Sequence, residues 1–130
     1  MDIVKVNIPE TEYSRLNQLY PEYSQRANPD KRAMEIVKYY FKSKDAGNKV
    51  EETSGGDLQV TVRGETVTLD VKGTGDLDVS WIQLKASCRP SFEKLKKGAH
   101  LYRVCSVYEL IPQFYILRKP DEYDELPGPA

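Results

Sequence analysis

The stretch that decides the fold reads Asp57-Leu58-Gln59-Val60-Thr61-Val62-Arg63-Gly64-Glu65-Thr66-Val67-Thr68-Leu69-Asp70-Val71-Lys72. Apolar and polar residues alternate along both halves of this stretch, as in half-buried strands, and Gly64 lies where a tight turn would join them. We therefore expect a β-hairpin. Its apolar face carries Leu58, Val60, Val62, Val67, Leu69 and Val71, and its polar face carries Asp57, Gln59, Thr61, Thr66, Thr68, Asp70 and Lys72.

The loop of this hairpin sets which polar residues lie opposite one another. A loop made of residues 63 and 64 places Asp57 across from Asp70, whereas a loop made of residues 64 and 65 places Asp57 across from Lys72. A three-residue loop is disfavoured, because a slip by one residue turns every side chain to the other face of the sheet. Both remaining loops keep the two aspartates and the lysine on one face.

Two carboxylates on neighbouring strands repel each other, so a fold that keeps Asp57 near Asp70 needs a compensating cation. Lys72 supplies one positive charge. A hard divalent ion such as Mg²⁺ suits the pair better, because it takes oxygen ligands from one or two carboxylates and the rest from water or a substrate phosphate. The alternative interpretation is a solvent-facing hairpin with ordinary surface charges.

The order Asp57, twelve residues, Asp70, one apolar residue and Lys72 resembles the signature of the PD-(D/E)XK nuclease superfamily. Gly56 stands where that signature has a proline, and the resemblance covers about residues 29–120. It implies a restriction-endonuclease-like fold of the α/β (α+β) class, in which helices flank a central mixed β-sheet. The periodic segments of the chain also favour that class.

The same resemblance implies a Mg²⁺-dependent deoxyribonuclease that hydrolyses phosphodiester bonds in DNA, with Mn²⁺ able to replace Mg²⁺. Asp57, Asp70 and the backbone carbonyl of Val71 would hold the metal, which lowers the pKa of an attacking water. Lys72 would orient that water or stabilise charge on the phosphate. The spacing is also similar to that of archaeal Holliday-junction resolvases.

Two further residues are candidate members of the catalytic site. The sequence at 28–30, Asn-Pro-Asp, begins a helix that runs to about Lys44 and carries Glu35, which matches a metal-site glutamate of the resembled family. Helical spacing turns Glu35 away from the apolar stripe, so a surface glutamate is the alternative. Residues 79–85 alternate as a strand would and place Gln83 toward a phosphate or water. A plain exposed glutamine is the alternative there.

The charge of the chain is unevenly distributed. Its net charge is −1, although phosphate binding depends on Lys and Arg. Residues 121–125 contain four acids and no base. Residues 85–103 contain one acid and six bases, the last of which is Arg103. The other five bases are expected to bind nucleic acid: Lys85, Arg89, Lys94, Lys96 and Lys97. A helix face that is merely solvated is the alternative.

The chain is expected to form one domain, since 130 residues can bury a real core. We expect residues 1–28 to be an N-terminal extension that packs on the core or mediates dimerisation, residues 29–120 to be the nuclease-like core, and residues 121–130 to be a loose acidic tail. Further predicted elements are a strand or an arm at 3–8, a helix at 10–20, strands at 49–53, 101–108 and 113–118, and a short basic helix at 90–97.

Composition limits the chemistry further. Cys88 and Cys105 lack a Cys-x-x-Cys spacing, so we expect buried or free thiols and neither a zinc site nor a disulfide. His100 is the only histidine, which excludes a multi-histidine metal site. No apolar run is long enough to cross a membrane and residues 1–5 have no signal pattern, so we expect a cytoplasmic protein without membrane contact.

The resemblance implies DNA as the partner and a homodimer as the assembly, because one site cuts one strand and duplex sites are commonly read with two-fold symmetry. A second hypothesis is a non-catalytic nucleic-acid-binding or assembly module on a nuclease-like scaffold. The near-neutral charge favours this second hypothesis. The intact set of Asp57, Asp70 and Lys72 argues against it.

Overall fold

A six-stranded mixed sheet forms the centre of the fold in a computed structural model that describes residues 1–128. The strands are β1 (Asp2–Lys5), β2 (Lys49–Glu52), β3 (Leu58–Val62), β4 (Glu65–Gly73), β5 (His100–Cys105) and β6 (Gln113–Leu117). The helices are α1 (Glu10–Leu19), α2 (Pro29–Lys44), α3 (Trp81–Cys88), α4 (Phe92–Lys96) and α5 (Pro120–Asp124), with a 3₁₀ turn at Arg89–Ser91. The strand order is β1-β6-β5-β4-β3-β2. The expectation of an α/β fold with a mixed sheet flanked by helices is confirmed.

The hairpin of β3 and β4 closes through Arg63 and Gly64. Val62 pairs with Glu65 on either side of this loop. Arg63 has φ 52° and Gly64 has φ 81°, and two successive left-handed residues are typical of the type I′ turn of two-residue hairpins. Of the two predicted loops, the one at residues 63 and 64 is therefore present, and its register continues to place Asp57 across from Asp70.

The sheet buries both of its faces. The buried residues of α2, which include Ala33 and Ile36, pack with Leu69 and Val71 of β4 in one core. A second core lies on the other face and joins α3, α4 and α5 to the sheet through Leu84, Cys88, Leu95, Leu101, Cys105, Leu117 and Tyr123. Successive side chains of a strand point to opposite faces. Asp70 therefore points away from α2, into the layer of α3 and α4.

Strand β4 has an antiparallel neighbour, β3, and a parallel neighbour, β5. Parallel strands need a crossover connection, and residues 74–99 provide it through α3, the 3₁₀ turn and α4. The parallel register sets Asp70 beside Leu101 and Lys72 beside Arg103. The crossover thus brings its own side chains over the polar face of β4.

Gly73, the residue after Lys72, lies in close contact with the beginning of α2. Its backbone N–H donates to Asp30 Oδ1 at 2.8 Å. A Cβ atom at this position would lie 2.3 Å from the carbonyl oxygen of Pro29 and 2.6 Å from the Cβ of Ala33. Only glycine fits there, and the contact fixes where β4 ends relative to α2.

The prediction of a strand at residues 79–85 is wrong, because α3 occupies this part of the chain. Ser80 caps the helix by accepting a hydrogen bond from the backbone N–H of Gln83, and the Gln83 side chain accepts one from the N–H of Ser80. This reciprocal capping box favours a helix. The alternation of Ile82 and Leu84 arises by chance, since Ile82 is exposed and Leu84 is buried.

The two ends of the described chain belong to the same packed structure. Strand β1 pairs with β6 at the edge of the sheet, and Leu16 of α1 is buried. The prediction of a loose tail from residue 121 does not agree with the structure. Helix α5 forms there, and both Tyr123 and Leu126 are buried in the second core. Residues 129–130 of the predicted tail lie outside the described part. Among the described helices, none has the length and apolarity needed to cross a bilayer.

Candidate functional site

Asp57 and Asp70 meet at one positive charge, the ammonium group of Lys94 on α4. Lys94 Nζ donates to Asp57 Oδ1 at 3.1 Å, with Oδ2 at 3.3 Å. It also donates to Asp70 Oδ2 at 3.2 Å. The two carboxylates are therefore close enough to share a single cation. That cation is Lys94, which the sequence predicts to be part of a nucleic-acid-binding surface.

Asp70 is the buried member of this cluster. Ser91 Oγ donates to Asp70 Oδ2 at 2.6 Å. Arg103 donates from one guanidinium nitrogen to the backbone carbonyl of Asp70 at 2.8 Å, and the same nitrogen lies 3.4 Å from Oδ1. Its other terminal nitrogen donates to the carbonyl of Ser87 and the hydroxyl of Ser91. Residues from the crossover and from β5 thus satisfy both oxygens of the Asp70 carboxylate.

These contacts keep the cluster charged. Burial raises the pKa of the Asp70 carboxyl, but the Ser91 hydrogen bond and the positive charges of Arg103 and Lys94 outweigh burial, so its pKa lies below the ordinary value. For Lys94, burial lowers the pKa and the hydrogen bonds to both aspartates raise it above the ordinary value. Near neutral pH Asp70 is therefore a carboxylate and Lys94 an ammonium group.

Lys72 lies on the same face of β4 as Asp70 but in a different cavity. A cleft of about 340 Å³ is lined by Asp57 and Lys94, together with Thr66, Val67, Thr68, Lys97, Gly98 and Ala99. Lys72 instead lines a cavity of about 180 Å³ that Arg103 and Gln83 also line. The predicted triad is thus divided, with Asp57 on one side of Asp70 and Lys72 on the other.

Glu35 does not lie in this site. Its carboxylate accepts contacts from Arg15 at 3.0 Å and from Lys38 at 2.9 Å. Burial raises the pKa of Glu35, but these two cations outweigh it and lower the pKa overall. Helix α2 covers the sheet face opposite to Asp70, so the proposal that Glu35 completes the metal site is wrong. The alternative interpretation, a helix-surface glutamate, describes it correctly.

Gln83 has a structural role at the beginning of α3. Its side-chain oxygen accepts the backbone N–H of Ser80 at 2.9 Å and so caps α3. The residue is exposed and also lines the cavity that contains Lys72. A direct role beside Asp57 is therefore not available to it.

The predicted nucleic-acid-binding residues are separated by the fold. Lys85 is buried: its ammonium donates to the carbonyl of Leu126 at 2.9 Å and lies over the ring of Tyr123. It is therefore unable to contact a nucleic acid. Arg89, Lys96 and Lys97 are exposed, and Lys96 pairs with Glu93 at 3.1 Å. Lys97 lines the same cleft as Asp57 and Lys94, which makes it the best placed of these bases.

The donor set around Asp57 and Asp70 is small. Within residues 1–128, no group of three or more His, Cys, Asp or Glu side chains is arranged to hold a metal. The carbonyl of Val71 is a further oxygen. In the β3–β4 hairpin, every second residue of β4 from Glu65 exchanges backbone hydrogen bonds with β3. Val71 continues this series, so its carbonyl points to the β3 side of β4, just beyond the last pair at Leu69. Two carboxylates and one carbonyl are therefore the main oxygen donors for a metal at this point.

The sequence gives little local signal for the partners of Asp70. Ser91 and Arg103 come from parts of the chain that are distant from Asp70 in sequence, and Ser91 carries no local signal. Arg103 does carry one, because it is the only charged residue in the apolar run from Leu101 to Cys105. A charge in the middle of a buried strand needs an opposite charge nearby, so this run could have suggested a buried carboxylate partner.

No family model, curated protein or solved structure matches this chain. The resemblance to the PD-(D/E)XK nucleases therefore stays a prediction. It depends on the signature of Asp57, Asp70 and Lys72 and on the convergence of the two aspartates.

Proposed function

We propose that this protein is a divalent-metal-dependent nuclease of the PD-(D/E)XK type that hydrolyses phosphodiester bonds in DNA. One observation carries the proposal: the carboxylates of Asp57 and Asp70 converge on one cation, with Lys94 Nζ 3.1 Å from one and 3.2 Å from the other. Such a paired arrangement on adjacent strands is unfavourable without a cation between the carboxylates. A point that attracts an ammonium group also attracts a metal ion.

The oxygens present fit Mg²⁺ or Mn²⁺. Mg²⁺ is commonly bound through one or two carboxylates, with water and substrate phosphate as its other ligands. Asp57 and Asp70 would supply the carboxylates and Val71 a carbonyl. When bound, the metal would supply Lewis-acid activation of water and of the phosphate. Lys94 must first leave its present position, and its side chain is 47% exposed, so it can turn toward solvent.

The other residues of the cleft would bind the substrate. Lys97 lies at the same cleft as Asp57 and would contact a phosphate of the DNA backbone. Lys94, once displaced from the carboxylates, would face the same negative charge. Lys72 lies on the polar face of β4 and would contact a neighbouring phosphate, since it does not share the cleft of Asp57.

The surroundings of the hairpin support this proposal. A helix precedes the hairpin, and a crossover with two helices and a parallel strand follows it; the resemblance implies a preceding helix and a following strand and helix, and the strand predicted at 79–85 is not part of this arrangement. A homodimer in the cytoplasm belongs to the same proposal, because cutting both strands of a duplex needs two sites.

The test is incubation of the protein with linear, nicked, branched and single-stranded DNA, and with RNA, in the presence of Mn²⁺ or Mg²⁺. We expect metal-dependent cleavage of DNA that EDTA prevents. Asp57→Asn should reduce the rate at least about a hundredfold, because it removes a metal ligand. The control is Glu65→Gln, which changes an exposed carboxylate at the turn end of the same hairpin. Wild-type rates in Asp57→Asn would contradict the proposal.

A second candidate function is a non-catalytic nucleic-acid-binding or assembly module. It is favoured by the contacts of Asp70, whose carboxylate oxygens are already satisfied by Ser91, Lys94 and Arg103. A charge network of this kind can be purely structural. Calorimetric titration with Mn²⁺ separates the two candidates: a nuclease binds the ion and loses it in Asp57→Asn, whereas a structural network shows no binding in either protein.

A further inference from the structure

The cavity on the Lys72 side of Asp70 has the features of a ligand site. It has a volume of about 180 Å³ and lies between β4, β5 and α3. Its apolar lining consists of Val79, Leu84, Val104, Cys105 and Tyr115, and its polar lining includes Lys72, Asp76, Gln83, Ser87 and Arg103. An apolar enclosure with a few convergent polar groups is typical of sites for small molecules.

Hydrogen-bond donors predominate among the polar groups of this cavity. Arg103 is only 4% exposed, and its Nε has no hydrogen-bond partner within residues 1–128. This nitrogen is shielded from solvent, so Arg103 offers the cavity its positive charge and not a free N–H group. Gln83 uses its side-chain oxygen to cap α3, which leaves its amide N–H groups for a ligand. Lys72 adds an exposed ammonium group.

We propose that this cavity binds the base of a single nucleotide, with an anionic phosphate oxygen at Lys72. A nucleobase has two flat apolar faces and carries acceptor atoms along its edge. Those faces suit Leu84 and Tyr115, and the acceptors suit the positive charge of Arg103 and the amide of Gln83. The choice of ligand rests on the proposed function, because a nucleic-acid substrate is what would present such a group here.

The position of the cavity relative to the cluster of Asp57, Asp70 and Lys94 agrees with this assignment. Arg103 contacts Asp70 and also lines the cavity. Lys72 and Asp70 are two residues apart on the same face of β4, about 7 Å along the strand. A nucleotide with its base in the cavity would therefore place its phosphate next to the phosphate bound between Asp57 and Asp70.

The experiment is calorimetry on the full chain in EDTA, so that no metal takes part. The probes are dAMP, deoxyadenosine, inorganic phosphate and a short single-stranded oligonucleotide. We expect dAMP to bind at least tenfold more tightly than deoxyadenosine or phosphate alone. Tight binding of free dAMP indicates a mononucleotide ligand, whereas tight binding of the oligonucleotide with weaker binding of dAMP indicates one nucleotide of a strand; both outcomes support the site.

A pair of variants on α3 locates the binding. Ser87→Phe places a ring in the cavity from an exposed position, and we expect it to weaken binding at least tenfold. Ala86→Phe is the matched control, because Ala86 is also exposed and is not part of the cavity lining. Lys72→Gln keeps the apolar lining, and it should reduce the preference for dAMP over deoxyadenosine while leaving deoxyadenosine binding unchanged.

Two results would overturn the inference. One is the failure of both dAMP and the oligonucleotide to bind the wild-type protein. The other is equal binding by Ser87→Phe and Ala86→Phe when both are shown to be folded by circular dichroism. The failure of the proposed nuclease function would look different, because the nucleotide would bind in EDTA while Mn²⁺ produced no cleavage of DNA.

Discussion

Arg103 and Asp70 lie on neighbouring parallel strands, and the guanidinium group of Arg103 contacts both the backbone carbonyl of Asp70 at 2.8 Å and its carboxylate at 3.4 Å. Each residue is 4% exposed. Removing one partner of a buried ion pair leaves the other uncompensated and is strongly destabilising. Asp70 therefore contributes to the stability of the fold in addition to any role that it has in binding a metal.

The two aspartates should differ in their effect on stability. We expect Asp70→Asn to lower the free energy of unfolding by about 3 kcal/mol, because it leaves the positive charge of Arg103 buried without its partner. Asp57→Asn should cost less than about 1 kcal/mol, since its contact with Lys94 is partly exposed to solvent. Urea unfolding of the two variants checks this difference, and equal losses would contradict it.

Acid should weaken the fold through Asp70. The pKa of Asp70 in the folded protein lies below 3.8, so its contribution to stability is fully present above that value and is lost as pH falls through the lower, native pKa. We expect the free energy of unfolding of the wild type to decrease below pH of about 4. In Asp70→Asn this part of the decrease should be missing, which unfolding curves measured along an acid series would detect.

Alkali should act on Lys94 in the opposite direction. Its pKa in the folded protein lies above 10.5, so its contribution is fully present below that value and is lost as pH rises through the higher, native pKa. Lys94→Met should therefore be less stable than the wild type near neutral pH, and the difference should decrease in strong alkali. A difference in unfolding free energy that does not change with pH would disagree with this assignment.

The ammonium group of Lys94 should compete with a metal for the two aspartates. We expect Lys94→Gln to bind Mn²⁺ about tenfold more tightly, because the ion then no longer has to displace an attached positive charge. Lys96→Gln is the control, since Lys96 contacts Glu93 at 3.1 Å. Calorimetric titration gives both affinities. Unchanged affinity in Lys94→Gln would place the metal elsewhere.

Gly73→Ala should be one of the most damaging small substitutions in the chain. The added Cβ would lie 2.3 Å from the carbonyl oxygen of Pro29, and that backbone atom belongs to α2 and cannot turn away. We expect a loss of about 3 kcal/mol. In Gly55→Ala the nearest atom is 3.9 Å from the new Cβ, so its effect should stay within about 0.5 kcal/mol. Thermal unfolding compares the two.

Arg32 should be needed to hold the N-terminal region on the core. It is 0% exposed, and it donates to the carbonyl of Val107, to the side chain of Asn17 and to the carbonyl of Tyr20. We expect Arg32→Met to cost about 3 kcal/mol, because these buried acceptors lose their donors. The neighbouring exposed residue gives the control variant Lys31→Met. Faster proteolysis between α1 and α2 in Arg32→Met would show where the fold loosens.

Local patterns in the sequence predicted the elements that depend on neighbouring residues. The start of α2 follows from the cap at Asn28 and from Pro29. The hairpin itself follows from its alternation, while the sequence leaves two loops open and the structure selects the one at residues 63 and 64. The prediction of a strand at 79–85 is wrong because a run of four to seven residues can fit both an alternating and a helical pattern. The capping box of Ser80 and Gln83 was the signal that decided it.

The sequence predicts that the two aspartates of the candidate site meet, but it does not predict the contact of Lys94 with them. Asp57 and Asp70 come together through a hairpin whose geometry is local. Lys94 reaches them from the crossover, 37 and 24 residues away in sequence, and no periodicity specifies such a contact. The burial of Lys85 is similar, because its partner Leu126 is 41 residues away.

The parallel pairing of β4 with β5 divides the described chain into two sections with different folding requirements. The antiparallel pairs β2–β3, β3–β4 and β5–β6 form within one section from nearby residues. The antiparallel pair β1–β6 and the parallel pair β4–β5 instead join the two sections, and closing the long loops that they require is costly in entropy. Asp70 belongs to the first section and Arg103 to the second. The charged cluster is therefore complete only once the two sections have docked, so its formation would report on one of the last steps of folding.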